Sequence, residues 1–239
     1  MGYDKLVTLA ERCAKYAQAC GKRSILETKP VGKVDVSKLG VCLSDGTVRF
    51  PHLNMIRYRT AEEAEANAKK ICMKQYETPI GQQKEIMIGT VGRDLYLNEI
   101  GTENTCQAPA VLMSKAYRNR PKKLFHNHPT CLDGGYSEPV SPFDIWHATD
   151  VNPISLTAFN SYGEYNTVKM TDKYFKLSQR DKLQIVYDLT GAEIKMQENI
   201  GQCTAEQLAI IQHKCNAEIL PQYGIEYETN FSNLLKYDA

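Results

Sequence analysis

The chain has 239 residues, 42% of them hydrophobic, and its 29 Lys and Arg against 28 Asp and Glu give a formal net charge of +1. This length and apolar content allow a substantial core, as one domain with extensions or two small ones, and exclude a largely disordered chain. The near-zero charge excludes a global field that would gather nucleic acid or anionic membrane. No apolar run reaches the ~18 residues of a membrane span, and the N-terminus lacks the basic-then-apolar organisation of a signal peptide. A soluble, cytoplasmic protein is the expectation.

In chain order, Tyr3, Leu6, Val7, Ala10, Cys13, Ala14 and Ala17 recur at helical spacing, with Gly21 as a stop. Residues 40–50 predict a hairpin around Ser44-Asp45-Gly46. His52 follows Pro51 in a turn-like stretch and is expected to be structural or at the surface. Thr60-x-x-Glu63 predicts a capping box for a helix with Ala64, Ala68, Ile71 and Cys72 on one face. Glu85 opens an apolar, β-prone run to Val91, Gly92-Arg93-Asp94 turns the chain, and Leu95-Tyr96-Leu97 returns as a strand. Pro109 predicts a helix through Val111, Leu112 and Ala116, ended by Arg120-Pro121. Strands are expected at 124–128, 154–159 and 165–170, with a helix through Ile145-Trp146-His147-Ala148 between the first two. Beyond residue 170 the pattern turns helical: Ser178 to Leu189, stopped at Gly191, then Thr204 to Leu220 with a Thr204-x-x-Gln207 box and Pro221 as terminator. In the latter helix Leu208, Ile211 and Cys215 form the apolar stripe, leaving His213 toward the polar side. The fold class predicted is α/β (α+β), a mixed β-sheet flanked by helices.

The most informative segment is His126-Asn127-His128-Pro129, followed by Ser141-Pro142-Phe143-Asp144. Two histidines two apart on a strand point to the same side, so both rings can reach one ion at about 2.0–2.1 Å. Pro129 ends the strand. Asp144 would complete a two-His, one-Asp set of the kind that leaves the fourth zinc position open for water. Ser141-x-x-Asp144 is equally a helix start, with Ser as N-cap, Pro at N1 and the acid at N3. The two readings are compatible, because a ligand at N3 sits at a rigid helix end.

The eight cysteines contain no Cys-x-x-Cys pair, which gives no support for a second structural zinc or a redox motif. Most are expected to be free, buried thiols. Cys131, two residues past Pro129, is near enough in sequence to approach the metal, but a fourth protein ligand would close the site. Arg118, Arg120, Lys122 and Lys123 crowd the approach to the His-x-His strand, either as a solvated turn around Pro121 or as a patch for an acidic face or a phosphate backbone.

On Phe125-His126-Asn127-His128-Pro129, the downstream Ser141-x-x-Asp144 and an upstream Glu, the sequence resembles the JAMM/MPN (JAB domain) zinc metalloproteases, most closely their RadC-like and bacterial JAB branches. The resemblance covers residues 85 to about 169 and implies three segments: an N-terminal helix and hairpin extension (1–59), an MPN/JAB-like core (60–170) and a helical C-terminal extension (171–239). It also implies His126, His128 and Asp144 as Zn2+ ligands, Ser141 as the hydroxyl that supports the oxyanion, and Glu85 as general base. Helix, loop, Glu, apolar strand is the family's order; Glu77, Glu99 and Glu103 are the competitors for that role. Thr130 to Val140, eleven residues, is a longer spacer than the family usually has.

The activity implied is hydrolysis of isopeptide or peptide bonds by metal-activated water, in deubiquitinase-like fashion at the C-terminus of ubiquitin or ubiquitin-like proteins. The expected partner is a protein or peptide substrate. Two alternatives stand beside it: a RadC-like nucleic-acid-associated protein and a non-catalytic MPN scaffold. His147, three residues after Asp144, is a candidate outer partner of the metal site.

Overall fold

The computed structural model describes residues 41–50, 53–98, 106–130 and 138–235. The predicted N-terminal helix, His52, Glu99, Glu103 and Cys131 lie outside them. Among the described residues, nine strands form one sheet in the order β1-β2-β3-β5-β4-β6-β7-β8-β9. They are Val41–Cys42, Val48–Phe50, Met55–Arg57, Met87–Val91, Asp94–Tyr96, Lys123–Asn127, Ser155–Phe159, Tyr165–Met170 and Ile225–Thr229, numbered β1 to β9 in chain order. All neighbours are antiparallel except β6 and β7. A parallel pair needs a crossover, and helix α2 (Pro142–Val151) lies within it. The mixed sheet with flanking helices is therefore as the sequence predicts.

Alternation along the strands sorts side chains onto two apolar layers. On one face Ile86, Ile88, Leu95, Phe125 and Phe159 pack with Ala64, Ala68 and Cys72 of α1 (Ala61–Lys74). On the other, Met87, Leu124, Leu156, Ala158 and Val168 pack with Ile145 and Ala148 of α2. The same cluster takes in Ile185 and Leu189 of α4 (Gln179–Ile200) and Ile211 and Cys215 of α5 (Ala205–Ile219). The C-terminal stretch thus contributes to the central core, and its strand β9 extends the sheet beside β8. Two short helices, α3 (Asp172–Phe175) and α6 (Ser232–Leu235), complete the described elements. No helix among the described residues is long and apolar enough to cross a membrane.

Local signals explain most element ends. Ser141, Ser178 and Thr204 each form a complete capping box with the side chain at N3. Thr60 accepts the Glu63 N–H at 3.2 Å, but the Glu63 carboxylate takes the Arg59 N–H at 3.0 Å, so that box is only half formed. Three expectations are corrected. Residues 109–120 form no α-helix but two 3-10 turns, Ala110–Met113 and Lys115–Tyr117, because Ser114 between them is extended (φ −69°, ψ 156°). Gly89 makes room for the first of these turns: a Cβ there would stand 2.0 Å from Leu112 Cδ1. Helix α4 continues through Gly191 to Ile200. Glycine within a helix costs about 1 kcal/mol relative to alanine, which packing along a 22-residue helix outweighs.

The third correction concerns His213, which is buried rather than turned to the polar side; its Nδ1 hydrogen-bonds Tyr227 Oη of β9 at 2.8 Å. Helix α5 is covered on more than the side its apolar stripe marks. His213→Ala is expected to lower stability by about 1–3 kcal/mol, because it leaves Tyr227 without this partner and opens space. Metal content should stay unchanged. A thermal melt paired with metal analysis checks both halves.

Candidate metal centre

The carboxyl end of β6 is the place where the sheet changes from antiparallel pairing with β4 to parallel pairing with β7. Open α/β sheets commonly form sites at such ends, because the chain diverges there and helix N-termini converge. His126 lies in β6, and His128 follows its end with its N–H bonded to the Phe159 carbonyl at 3.0 Å. Asp144 is the N3 residue of α2. The buried ligand atoms of His126, His128 and Asp144 lie within 4.8 Å of one another.

Within this triad His126 Nε2 stands 3.3 Å from Asp144 Oδ1, and His128 Nε2 stands 3.3 Å from Asp144 Oδ2. Donors bound tetrahedrally at 2.0–2.1 Å are separated by about 3.3 Å, so both His–Asp spacings fit one zinc-sized ion. The two Nε2 atoms are 2.7 Å apart, close enough to share a proton. His128 Nδ1 is 2.5 Å from the Glu138 carbonyl, to which it donates, leaving Nε2 to face the triad. The donor set and its tautomer therefore fit a metal of imidazole and carboxylate preference.

Asp144 is fixed from its own helix end. Its Oδ2 accepts the Ser141 N–H at 2.8 Å and the Ser141 hydroxyl at 2.7 Å. Burial pushes its carboxyl toward protonation, yet His126 and His128 outweigh this and hold it well below the usual carboxylate range. Burial also acts against charge on His128, but Asp144 more than offsets it and raises the imidazole to about 10. Burial prevails at His126 and lowers it. His128 and Asp144 thus favour each other's charged forms, while burial favours the neutral imidazole at His126.

Glu85 precedes β4 and is half-buried beside this group. Burial raises its carboxyl to about 7; the His128 charge lowers it and the Asp144 charge raises it. Its neighbour Cys106 is a buried thiol that hydrogen-bonds it, with burial first and the Glu85 charge next in raising the thiol's own pKa. Glu77 is exposed on the 3-10 turn Gln75–Glu77. Of the described candidates for the base, only Glu85 stands within the electrostatic reach of the triad.

His147 is buried on α2, edge-on to Phe143 at 4.7 Å between ring centroids. Burial lowers its pKa, with Asp144 acting against this and His126 with it, so it borders the triad. The basic cluster is dispersed by the fold. Lys122 is buried with its Nζ on the Tyr117 carbonyl at 2.6 Å and the Arg118 carbonyl at 3.2 Å. Lys123 pairs with Glu65 at 2.7 Å, while Arg120 lies over the Tyr117 ring. Cys72 and Cys215 are buried free thiols, as expected.

Several residues that hold the site escaped the sequence reading. Tyr76 Oη reaches the carbonyls of His128 at 2.7 Å and Phe159 at 2.6 Å, tying the ends of β6 and β7 together. The Glu138 carbonyl orients His128. Val140, next to Ser141, is gripped by two buried asparagines: its N–H meets Asn166 Oδ1 at 2.9 Å, and its carbonyl meets Asn216 Nδ2 at 2.7 Å. The far end of the long 130–140 spacer is thereby anchored to β8 and α5. Comparison of the chain with protein-family models, curated proteins and solved structures finds no match.

Proposed function

We propose that this chain is a zinc-dependent hydrolase of JAMM/MPN type that cleaves isopeptide or peptide bonds with water as the nucleophile. The observation that carries the reading is the convergence of His126, His128 and Asp144 at the end of β6, with a raised carboxyl, Glu85, beside them. Zinc is proposed because two imidazoles and one carboxylate are a common three-ligand catalytic set. When bound, the ion supplies Lewis acidity, polarising a carbonyl and easing loss of a proton from water.

The chain's own residues do the remaining work. Glu85 takes the proton from the attacking water and hands it to the departing amine, a role suited to a carboxyl titrating near the working pH. Ser141 supports the negative charge that develops on the carbonyl oxygen by turning its hydroxyl hydrogen away from Asp144. The carboxylate stays held through the Ser141 N–H at 2.8 Å. With water as nucleophile, no acyl-enzyme forms.

The test is metal analysis of protein prepared without chelator, joined to hydrolysis of ubiquitin and ubiquitin-like proteins carrying C-terminal fluorogenic amides, extensions or isopeptide-linked partners. About one zinc per chain and cleavage of at least one class are expected. Zinc without any amide cleavage would reject the hydrolase. Salt-dependent affinity for DNA or RNA would then favour the nucleic-acid alternative.

A further expected result concerns His147. Residues that border metal ligands typically change metal affinity or activity ~10–100-fold when removed. His147→Ala should show a loss of that order in hydrolysis or zinc affinity, whereas wild-type behaviour in both would reduce His147 to a packing residue.

A further inference from the structure

Asn127, between the two metal-binding histidines, makes no contribution to the ligand set, and strand alternation places it on the opposite side of β6. It is fully buried, and both ends of its amide are occupied. The β4–β6 ladder runs from Thr90 opposite Lys123 to Met87 opposite His126. The next step would bring Ile86 and Asn127 into register. Instead the Asn127 side chain replaces the strand: its Oδ1 accepts the Ile86 N–H at 3.0 Å, and its Nδ2 donates to the Lys84 carbonyl at 2.9 Å. These two backbone groups flank Glu85.

A second buried amide repeats the arrangement in the other direction. Gln83, on the Glu85 segment, accepts the Thr130 N–H at 2.9 Å through Oε1 and donates to the Thr78 carbonyl at 3.2 Å through Nε2. Where the backbone ladder stops, side-chain amides stitch residues 83–86 to residues 127–130. A continued strand would keep Glu85 in the pleat. Replacing it by amide bridges lets the Glu85 segment leave the sheet while staying tied to the segment that carries His126 and His128.

We infer that Asn127 is a positioning residue for Glu85, fixing the carboxylate relative to the metal ligands through the peptide groups on either side of it. This rests on the reading of Glu85 as the proton carrier of a zinc hydrolase. The role requires an amide: one acceptor and one donor on a short side chain, aimed at two backbone groups two residues apart. Leucine has the same branched shape, though bulkier, and neither function.

The experiment uses Asn127→Ala and Asn127→Leu in the full chain, alone and combined with Glu85→Gln, on the amide substrate that wild type cleaves in the panel above. Each single Asn127 variant is expected to lower kcat ~10–100-fold, the range of supporting residues around metal sites. KM and zinc per chain should stay within about twofold of wild type. In the Glu85→Gln background the same replacements should lower the residual rate by less than about twofold, because a residue acting through Glu85 has nothing left to act on. Hydrogen exchange at the Ile86 amide should accelerate while Met87 to Val91 stay protected, which shows that the variants are folded and have lost only the clamp.

Full kcat in both Asn127 variants, with wild type active, would overturn the positioning role and leave the hydrolase reading intact. Multiplicative effects in the double variants would overturn it too, since Asn127 would then act through the ligands or the fold. Loss of protection throughout β4 would count the same way. A zinc-loaded wild type that cleaves nothing would overturn the hydrolase reading, and the role of Asn127 with it.

Discussion

Asp144→Ala is expected to lose most of its zinc and all measurable hydrolysis. The carboxylate is the only anionic donor of the triad, and its two oxygens stand 3.3 Å from the Nε2 atoms of His126 and His128, respectively. Without it, two buried imidazoles 2.7 Å apart face each other with no negative charge between them, and a divalent cation there would be poorly compensated. The substitution also removes the N3 acceptor of the Ser141 box. Loss of a helix cap costs about 0.5–2 kcal/mol, so some destabilisation must be separated from metal loss. Asp144→Asn makes that separation, since a side-chain carbonyl can still accept the Ser141 N–H but carries no charge. Near-wild-type melting of the apo protein with reduced zinc is expected. A wild type free of transition metal, or an Asp144→Ala protein that keeps its full complement, would reject the site.

The candidate metal ligands are legible in the sequence because they follow local rules. Strand alternation puts His126 and His128 on one side, and the Ser141 capping box fixes Asp144 at N3; neither depends on distant residues. The α/β class is legible for the same reason, since period-2 runs at 154–159 and 165–170 and capped helices each carry their own signal. Long-range support is another matter. Tyr76 meets the His128 carbonyl across 52 positions, and Asn216 meets Val140 across 76, through side-chain bonds to backbone groups that leave no periodic trace.

A stripe through Leu208, Ile211 and Cys215 marks one side of α5, whereas the fold also covers the side that carries Ala209, His213 and Asn216. Strand β9, Ile225-Glu226-Tyr227-Glu228-Thr229, does alternate in burial, but it follows a helix terminator within a segment expected to be helical. The 109–120 stretch has the apolar spacing of a helix; the extended Ser114 and the close approach of Leu112 to Gly89 divide it. Helix formation there depends on packing against β4, which spacing alone cannot express.

Glu85→Gln is expected to separate chemistry from metal binding. Glutamine keeps the size of the side chain and can still accept the Cys106 thiol hydrogen through its carbonyl, but it cannot take up the water's proton. The backbone at 84 and 86 remains tied to Asn127 at 2.9 and 3.0 Å, so the segment should hold its course. Zinc content should persist because Glu85 lies outside the ligand triad. Thermal stability should hold or rise, since a half-buried carboxyl whose pKa is raised chiefly by burial is replaced by a neutral amide. Hydrolysis should fall ~10²–10⁴-fold, the usual contribution of a positioned general base. Zinc analysis, a melt and a progress curve on the same preparation decide the matter. Loss of metal would recast Glu85 as a ligand. Unchanged turnover would move the base to Glu77, Glu99 or Glu103; of these Glu77 lies among the described residues, and it is exposed on its 3-10 turn, without the burial that marks Glu85.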